Sequence, residues 1–537
     1  MKKNEKEAGK LSNRMIRVVL SISIGTALWG CGPSLEERAR RDEISAIQNQ
    51  DLYVDHDIIA RPYNAEEYAP IQENEFHDAT QHPLSTFSID VDKASYSNIR
   101  RFLTQNEMPP KDAVRIEEMV NYFKYDYPQP TGEDPFAVQT EMSQCPWNKQ
   151  HQLINIGIQG KSIDHNKLSP SNLVFLIDVS GSMNDANKLP LLKASLKMLV
   201  EELSEKDHVA LVAYAGSAGL VLPSTSCKDK ETIIDALDDL SAGGSTAGGE
   251  GIKLAYKVAK ENLIEGGNNR VILATDGDFN VGVSSPEELL EIIRTRKNEN
   301  IYLTVCGFGS GNFKDGTMEK ISDQGNGNYF YIDNIQEAKK VFVTEMRGNM
   351  FTIAKDVKIQ IEFNPAYVQS YRLVGYENRL LNKEDFNNDK KDAGELGAGH
   401  TVTALYEIVP VGAPAKVDKL RYQTAEAKTK SSELNNNELM LLKLRYKPIH
   451  SDESKLIKQV VFNKPVAADQ TSDNFRFAAA VAGFGMLLRE SENVDHFSYA
   501  DDQALAKTAL SKDEEGYRAE FAKLIETASL LGKGKEE

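Results

Sequence analysis

The chain has 537 residues, room for three or four domains at about 150 residues each and too long for one core. Its 63 Lys plus Arg against 80 Asp plus Glu give a formal charge of −17, which argues against a nucleic-acid partner and against electrostatic attachment to anionic lipid, since both need a basic footprint. Hydrophobic residues at 40% exclude wholesale disorder, and four cysteines (Cys31, Cys145, Cys227 and Cys306) are too few for a disulfide scaffold.

At the N-terminus, Lys2, Lys3, Lys6, Lys10, Arg14 and Arg17 precede an apolar run from Val18 to Trp29. The run is too short to span a bilayer but fits the hydrophobic region of a secretory signal. It ends in Leu28-Trp29-Gly30-Cys31, which resembles the bacterial lipobox, although Trp29 stands where a small residue is usual. The resemblance implies cleavage after residue 30 and acylation of Cys31, a lipid anchor held by about 0.8 kcal/mol per buried methylene. By the same resemblance, Gly32 rather than Asp favours the outer over the inner membrane. Loss of residues 1–30 removes six basic and two acidic groups, taking the charge to −21. Residues 31–80 follow as an acidic tether, with twelve acidic and four basic groups in 33–80 and no sustained apolar period.

A first compact unit is expected over 83–165. Phe87, Ile89 and Val91 alternate as in a strand, and a helix from Ser95 carries Ile99, Phe102 and Leu103. A second helix carries Val114, Ile116, Met119, Val120 and Phe123, and alternating segments follow at 136–142 and 153–158.

The grammar changes over 170–348. Leu173–Ile177 is a continuous apolar run, the mark of a strand buried on both faces of a parallel sheet. Helix-like stretches at 189–203, 247–263 and 286–296 alternate with strands at 209–214, 271–274 and 301–305, predicting a doubly wound α/β domain. From 350 to 532 the pattern returns to period two in segments containing Ile359, Tyr406 and Leu442, expected as an antiparallel, half-exposed sheet. Helices at 475–488 and 517–531 end the chain. Because period-two strands lie on both sides of the α/β unit, that unit is expected to be inserted into a β-sandwich.

Three fragments sit where α/β strands should end: Asp178-Val179-Ser180-Gly181-Ser182, Gly244-Ser245-Thr246-Ala247, and Thr275-Asp276-Gly277. Ligand sites of open α/β sheets form outside the carboxyl ends of strands, so the fold should gather these loops. They offer carboxylate and hydroxyl oxygen without imidazole or thiolate, a set suited to Mg²⁺, Mn²⁺ or Ca²⁺. If Asp276 bound through water, the ion would keep a positive charge and an open position, and would seek an anionic oxygen such as a partner's Asp or Glu.

These fragments resemble the metal-ion-dependent adhesion site of von Willebrand factor type A (VWA) domains. The resemblance implies a Rossmann-like fold, a divalent cation (Mg²⁺ foremost) held by Asp178, Ser180, Ser182, Thr246 and Asp276, and a protein partner offering an acidic side chain. Thr86–Asp92 with Ser95-Tyr96, and Gly375–Arg379 before Gly397–His400, further resemble bacterial VWA lipoproteins with a dedicated N-terminal domain and a C-terminal domain of undefined role. No Gly-x-Ser-x-Gly, phosphate-cradling or His-Glu-x-x-His motif is present, so no catalytic residues are assigned. Asp278 and Glu250 are the acid–base groups nearest the site in sequence, and a metal-dependent enzyme is the less favoured alternative. A structural envelope scaffold with the metal site unused is the other.

Overall fold

The computed structural model describes residues 66–533 apart from 165–166, 216, 245–247, 278–285, 312, 415–436, 495 and 512. The signal-like segment, Cys31 and the tether as far as residue 65 therefore lie outside the described residues, as do Thr246 and Asp278. In chain order the N-terminal elements are β1 (His77–Asp78), β2 (Leu84–Ser88), helix α1 (Ala94–Thr104), helix α2 (Ile116–Tyr122), β3 (Phe136–Gln144) and β4 (Gln152–Gly160). The α/β unit follows: β5 (Ser171–Asp178), α3 (Leu189–Glu202), β6 (His208–Ala215), β7 (Ser217–Ser226), α4 (Lys230–Asp238), α5 (Gly248–Glu261), β8 (Asn268–Thr275), α6 (Pro286–Asn298), β9 (Ile301–Phe308), α7 (Asp315–Gln324) and β10 (Tyr329–Ile332). Then come β11 (Thr352–Phe363), β12 (Val368–Val374), β13 (Gly394–Gly397), β14 (Thr401–Pro410), β15 (Glu438–Pro448) and β16 (Lys455–Phe462), and helices α8 (Asp473–Arg489), α9 (Tyr499–Lys507) and α10 (Tyr517–Lys533).

The α/β unit is a six-stranded sheet ordered β10-β9-β8-β5-β6-β7. All neighbours run parallel except the β6–β7 hairpin at one edge. Every residue of β5 is buried, as its apolar run requires, because helices cover both faces. β7 and α4 lack a sequence signal: Ser217–Ser226 carries Gly219 and Pro223 and has a single buried residue, so it reads as loop until β6 pairs with it.

The flanking segments share two sheets. One is ordered β1-β12-β14-β4-β3 and the other β13-β11-β15-β16, with β2 also pairing β11. Strands from before and after the α/β unit thus lie side by side, as in Tyr406 opposite Ile154 and Ile359 opposite Phe87. The two sheets enclose one core containing Ile154, Ile156, Ile359, Ile361, Tyr406 and Leu442, which makes a β-sandwich with the α/β unit inserted. The expectation of half-exposed strands fails for β14, where Val402–Val409 is buried throughout. The reason is a third layer: α8 and α10 pack with α1 and α2 on the outer face of that sheet, against Leu153, Val374 and Leu405. α8 is correspondingly buried almost all round. Among the described residues no helix is long and apolar enough to cross a membrane.

Residues 66–80, expected as the end of the tether, are built into the body. Glu66 pairs with Arg101 at 2.9 Å, and His77–Asp78 pairs with β12. The motifs at 86–92 and 375–379 meet in a buried ionic clamp between the inserted unit and the sandwich. Arg379 binds Asp90 at 2.9 Å, Asp92 and Glu319 at 3.3 Å, and Asp323. Arg115 binds Glu319 at 2.9 Å, Glu118 at 3.3 Å and Asp315. Asp315, Glu319 and Asp323 all lie on α7 of the α/β unit, so these charges fix that unit on its support. Glu377 holds Arg489 of α8 at 2.6 Å.

Candidate functional site

β5 and β8 lie side by side in parallel, with Ile177 opposite Ala274, so Asp178 and Asp276 leave the same sheet edge together. The chain turns sharply after each strand. The Ser180 amide donates to Asp178 Oδ1 at 2.8 Å, and Gly181–Asn184 then forms a short 3₁₀ turn. After Asp276, Gly277 adopts φ +101°, a region closed to most side chains. Backbone bonds from Gly181 N to Gly244 O (3.0 Å) and from Gly243 N to Val179 O (2.7 Å) bring in the glycine-rich loop, next to the position of Thr246 in the chain.

Within this cluster Asp178, Ser180 and Asp276 are buried and Ser182 is exposed, so Ser182 is the member of the set that meets solvent. The Ser180 and Ser182 hydroxyls lie 3.1 Å apart. Thr275 Oγ1 donates to Asp178 Oδ2 at 3.3 Å, and the buried Tyr214 phenol lies close to the same carboxylate. Burial, and then the neighbouring charge of Asp276, hold the Asp178 carboxyl above the usual carboxylate range despite the donors at Ser180. Burial, and then the Asp178 charge, push the Tyr214 phenol well up, so it stays neutral.

The donor set fits a hard divalent cation: two carboxylates and two adjacent hydroxyls, all oxygen, at an edge open to solvent. The cluster already receives a cation of its own, because Lys188 Nζ lies 3.0 Å from Asp276 Oδ2. Of the five sequence-assigned ligands, Asp178, Ser180, Ser182 and Asp276 come together here. Lys188, Tyr214 and Thr275 were not anticipated as parts of the site. Thr275 adjoins Asp276 in a fragment the sequence did single out, but nothing in the sequence marks Lys188 among its neighbours as buried. Glu250, considered as an acid–base group, is exposed on the first turn of α5.

This fold and loop cluster define a von Willebrand factor type A domain protein. The model of that domain matches residues 172–344, a von Willebrand factor model matches 62–155, and the model of the YfbK C-terminal region matches 348–531. The chain belongs to the YfbK family: it is 45% identical over 477 residues to the uncharacterized protein YfbK of Escherichia coli K12, covering 88% of this chain and 82% of that one. It is also 29% identical over 261 residues to human inter-alpha-trypsin inhibitor heavy chain H3, covering 44% of this chain and 28% of that protein. A solved von Willebrand factor type A protein from Catenulispora acidiphila is 16% identical with a TM-score of 0.39, covering 73% of this chain and 89% of that one. VWA domains typically mediate protein–protein interaction, commonly through a divalent cation, and are generally non-catalytic.

Proposed function

We propose that the protein is a lipid-anchored envelope protein that captures a protein partner through a divalent cation, with Mg²⁺ foremost and Mn²⁺ or Ca²⁺ as alternatives. Asp178, Ser180, Ser182, Thr246 and Asp276 would hold the ion, which would supply a positive centre for an anionic oxygen, most simply a partner's Asp or Glu carboxylate. The observation that carries this reading is the buried Asp178–Asp276 pair beside the Ser180–Ser182 hydroxyls, of which Ser182 is exposed. The chain's own contribution is preorganisation. Ser180 N and Thr275 fix the Asp178 carboxylate, and backbone bonds set the loops, so little ordering is needed on binding. The Cys31 lipobox supports an envelope location, with the outer membrane favoured by Gly32.

The test is affinity capture from bacterial envelopes with and without Mg²⁺, comparing the intact chain with Asp178→Ala. Capture should disappear on chelation and in the variant while circular dichroism stays unchanged. Undiminished capture after either treatment removes the proposal. The Lys188–Asp276 contact favours a second reading, a structural scaffold whose site is satisfied internally. Full rescue of a deletion phenotype by Asp178→Ala would select it.

A further inference from the structure

Lys188 stands in an electrostatically unfavourable place. It immediately precedes α3, where the helix dipole repels a cation. The residue is nevertheless only 7% exposed, and its ammonium reaches past the exposed Asp185, at 4.0 Å, to Asp276 at 3.0 Å. The route of its stem is built into a distant strand. Gly309, just after β9, has φ +75°, and a Cβ there would fall 2.4 Å from Lys188 Cε. The fold thus leaves out a side chain at 309 to pass a lysine into the cation site.

We infer that Lys188 is the site's built-in counter-charge, weakening cation uptake by the bare site and leaving the loaded site positive so that it calls for a carboxylate. The inference rests on the cation-binding reading above, and charge counting gives its sense. Asp178, Asp276 and Lys188 leave the bare site with one net negative charge, and a divalent ion turns this into one net positive charge. Without Lys188 the same two states would carry two negative charges and none. Lys188 therefore exchanges metal affinity for carboxylate affinity and couples the two. A partner carboxylate tightens the metal, and the metal tightens the carboxylate by the same factor. Lys188 acts through Asp276 as a positioning residue and is not itself a ligand.

The experiment is calorimetric titration of Mn²⁺ into the full chain, in chloride and in acetate buffer of equal ionic strength. Wild type, Lys188→Met, Lys188→Gln, Lys188→Arg and Asp178→Ala are compared. The two neutral variants should bind Mn²⁺ at least about tenfold tighter in chloride, the effect of removing one unit charge a few ångströms from the ion. The gain in Mn²⁺ affinity that acetate gives the wild type should shrink in the same variants, and Lys188→Arg should behave as wild type. A merely structural role would weaken both affinities together. Mn²⁺ affinity unchanged or weakened in the neutral variants, with Asp178→Ala still abolishing it, overturns the role of Lys188 and leaves the cation site standing. Absence of Mn²⁺ uptake in wild type and neutral variants alike overturns both. Either neutral variant that retains the wild-type circular dichroism spectrum suffices.

Discussion

Replacing Arg379 by Met removes the cation that four carboxylates share. Its guanidinium meets Asp90 at 2.9 Å, Asp92 and Glu319 at 3.3 Å, and Asp323, with the side chain 13% exposed. Removing one partner of a buried ion pair costs about 3–5 kcal/mol, because the remaining charge is stranded. Asp90, Asp92 and Asp323 are left without a cation and Glu319 keeps only Arg115, which places the expected loss at the upper end, about 5 kcal/mol, a large share of a typical 5–15 kcal/mol stability. Burial already pushes the Glu319 carboxyl up to about 7 against the opposing pull of Arg115 and Arg379, and the variant should raise it further. The sign follows. A folded pKa above the unfolded value of 4.5 gives stability that is present below 4.5 and lost as pH rises through the folded value. The penalty of Arg379→Met should therefore be largest at pH 7.5 and shrink by pH 5.5. Urea unfolding followed through the buried Trp147 measures it at both values. A loss below about 1 kcal/mol at pH 7.5, or one that grows on acidification, would refute the clamp as the bond between the inserted unit and the sandwich.

His400 provides an independent pH test. Burial, and then the charge of Lys93, hold its imidazole down to about 3, so stability is intact above the unfolded value of 6.5 and falls as pH drops from there towards 3. His400→Gln should remove about 2 kcal/mol of the wild-type decline between pH 6.5 and 5, and urea unfolding curves with identical pH slopes would refute this. Gly327→Ala should lose about 3 kcal/mol or more, since the new Cβ would lie 1.6 Å from the Leu303 carbonyl oxygen, a backbone atom unable to yield. Gly219→Ala, with nothing within 4 Å, is the matched control and should stay within about 0.5 kcal/mol of wild type by thermal unfolding.

What the sequence determined by itself is whatever rests on local pattern. Leu173–Ile177 had to be a strand buried on both faces, and it is. Asp178, Ser180, Ser182 and Asp276 could be assigned as candidate ligands because each lies within a few residues of a strand end, and a parallel sheet brings its strand ends to one edge. The helix at Asp473–Arg489 was legible from its apolar composition. The tertiary structure decided the rest, because the rest depends on partners distant in the chain. β7 exists because β6 pairs with it, β14 is buried on both faces because α2, backed by α8, covers it, and β2 joins a sheet with β11 across the whole α/β unit. Arg379 and Asp90 form one clamp although 289 positions separate them. Lys188 reaches Asp276 only because Gly309 leaves room for its stem. Periodicity records which face of an element avoids water, whereas these pairings depend on which distant face or charge comes to meet it.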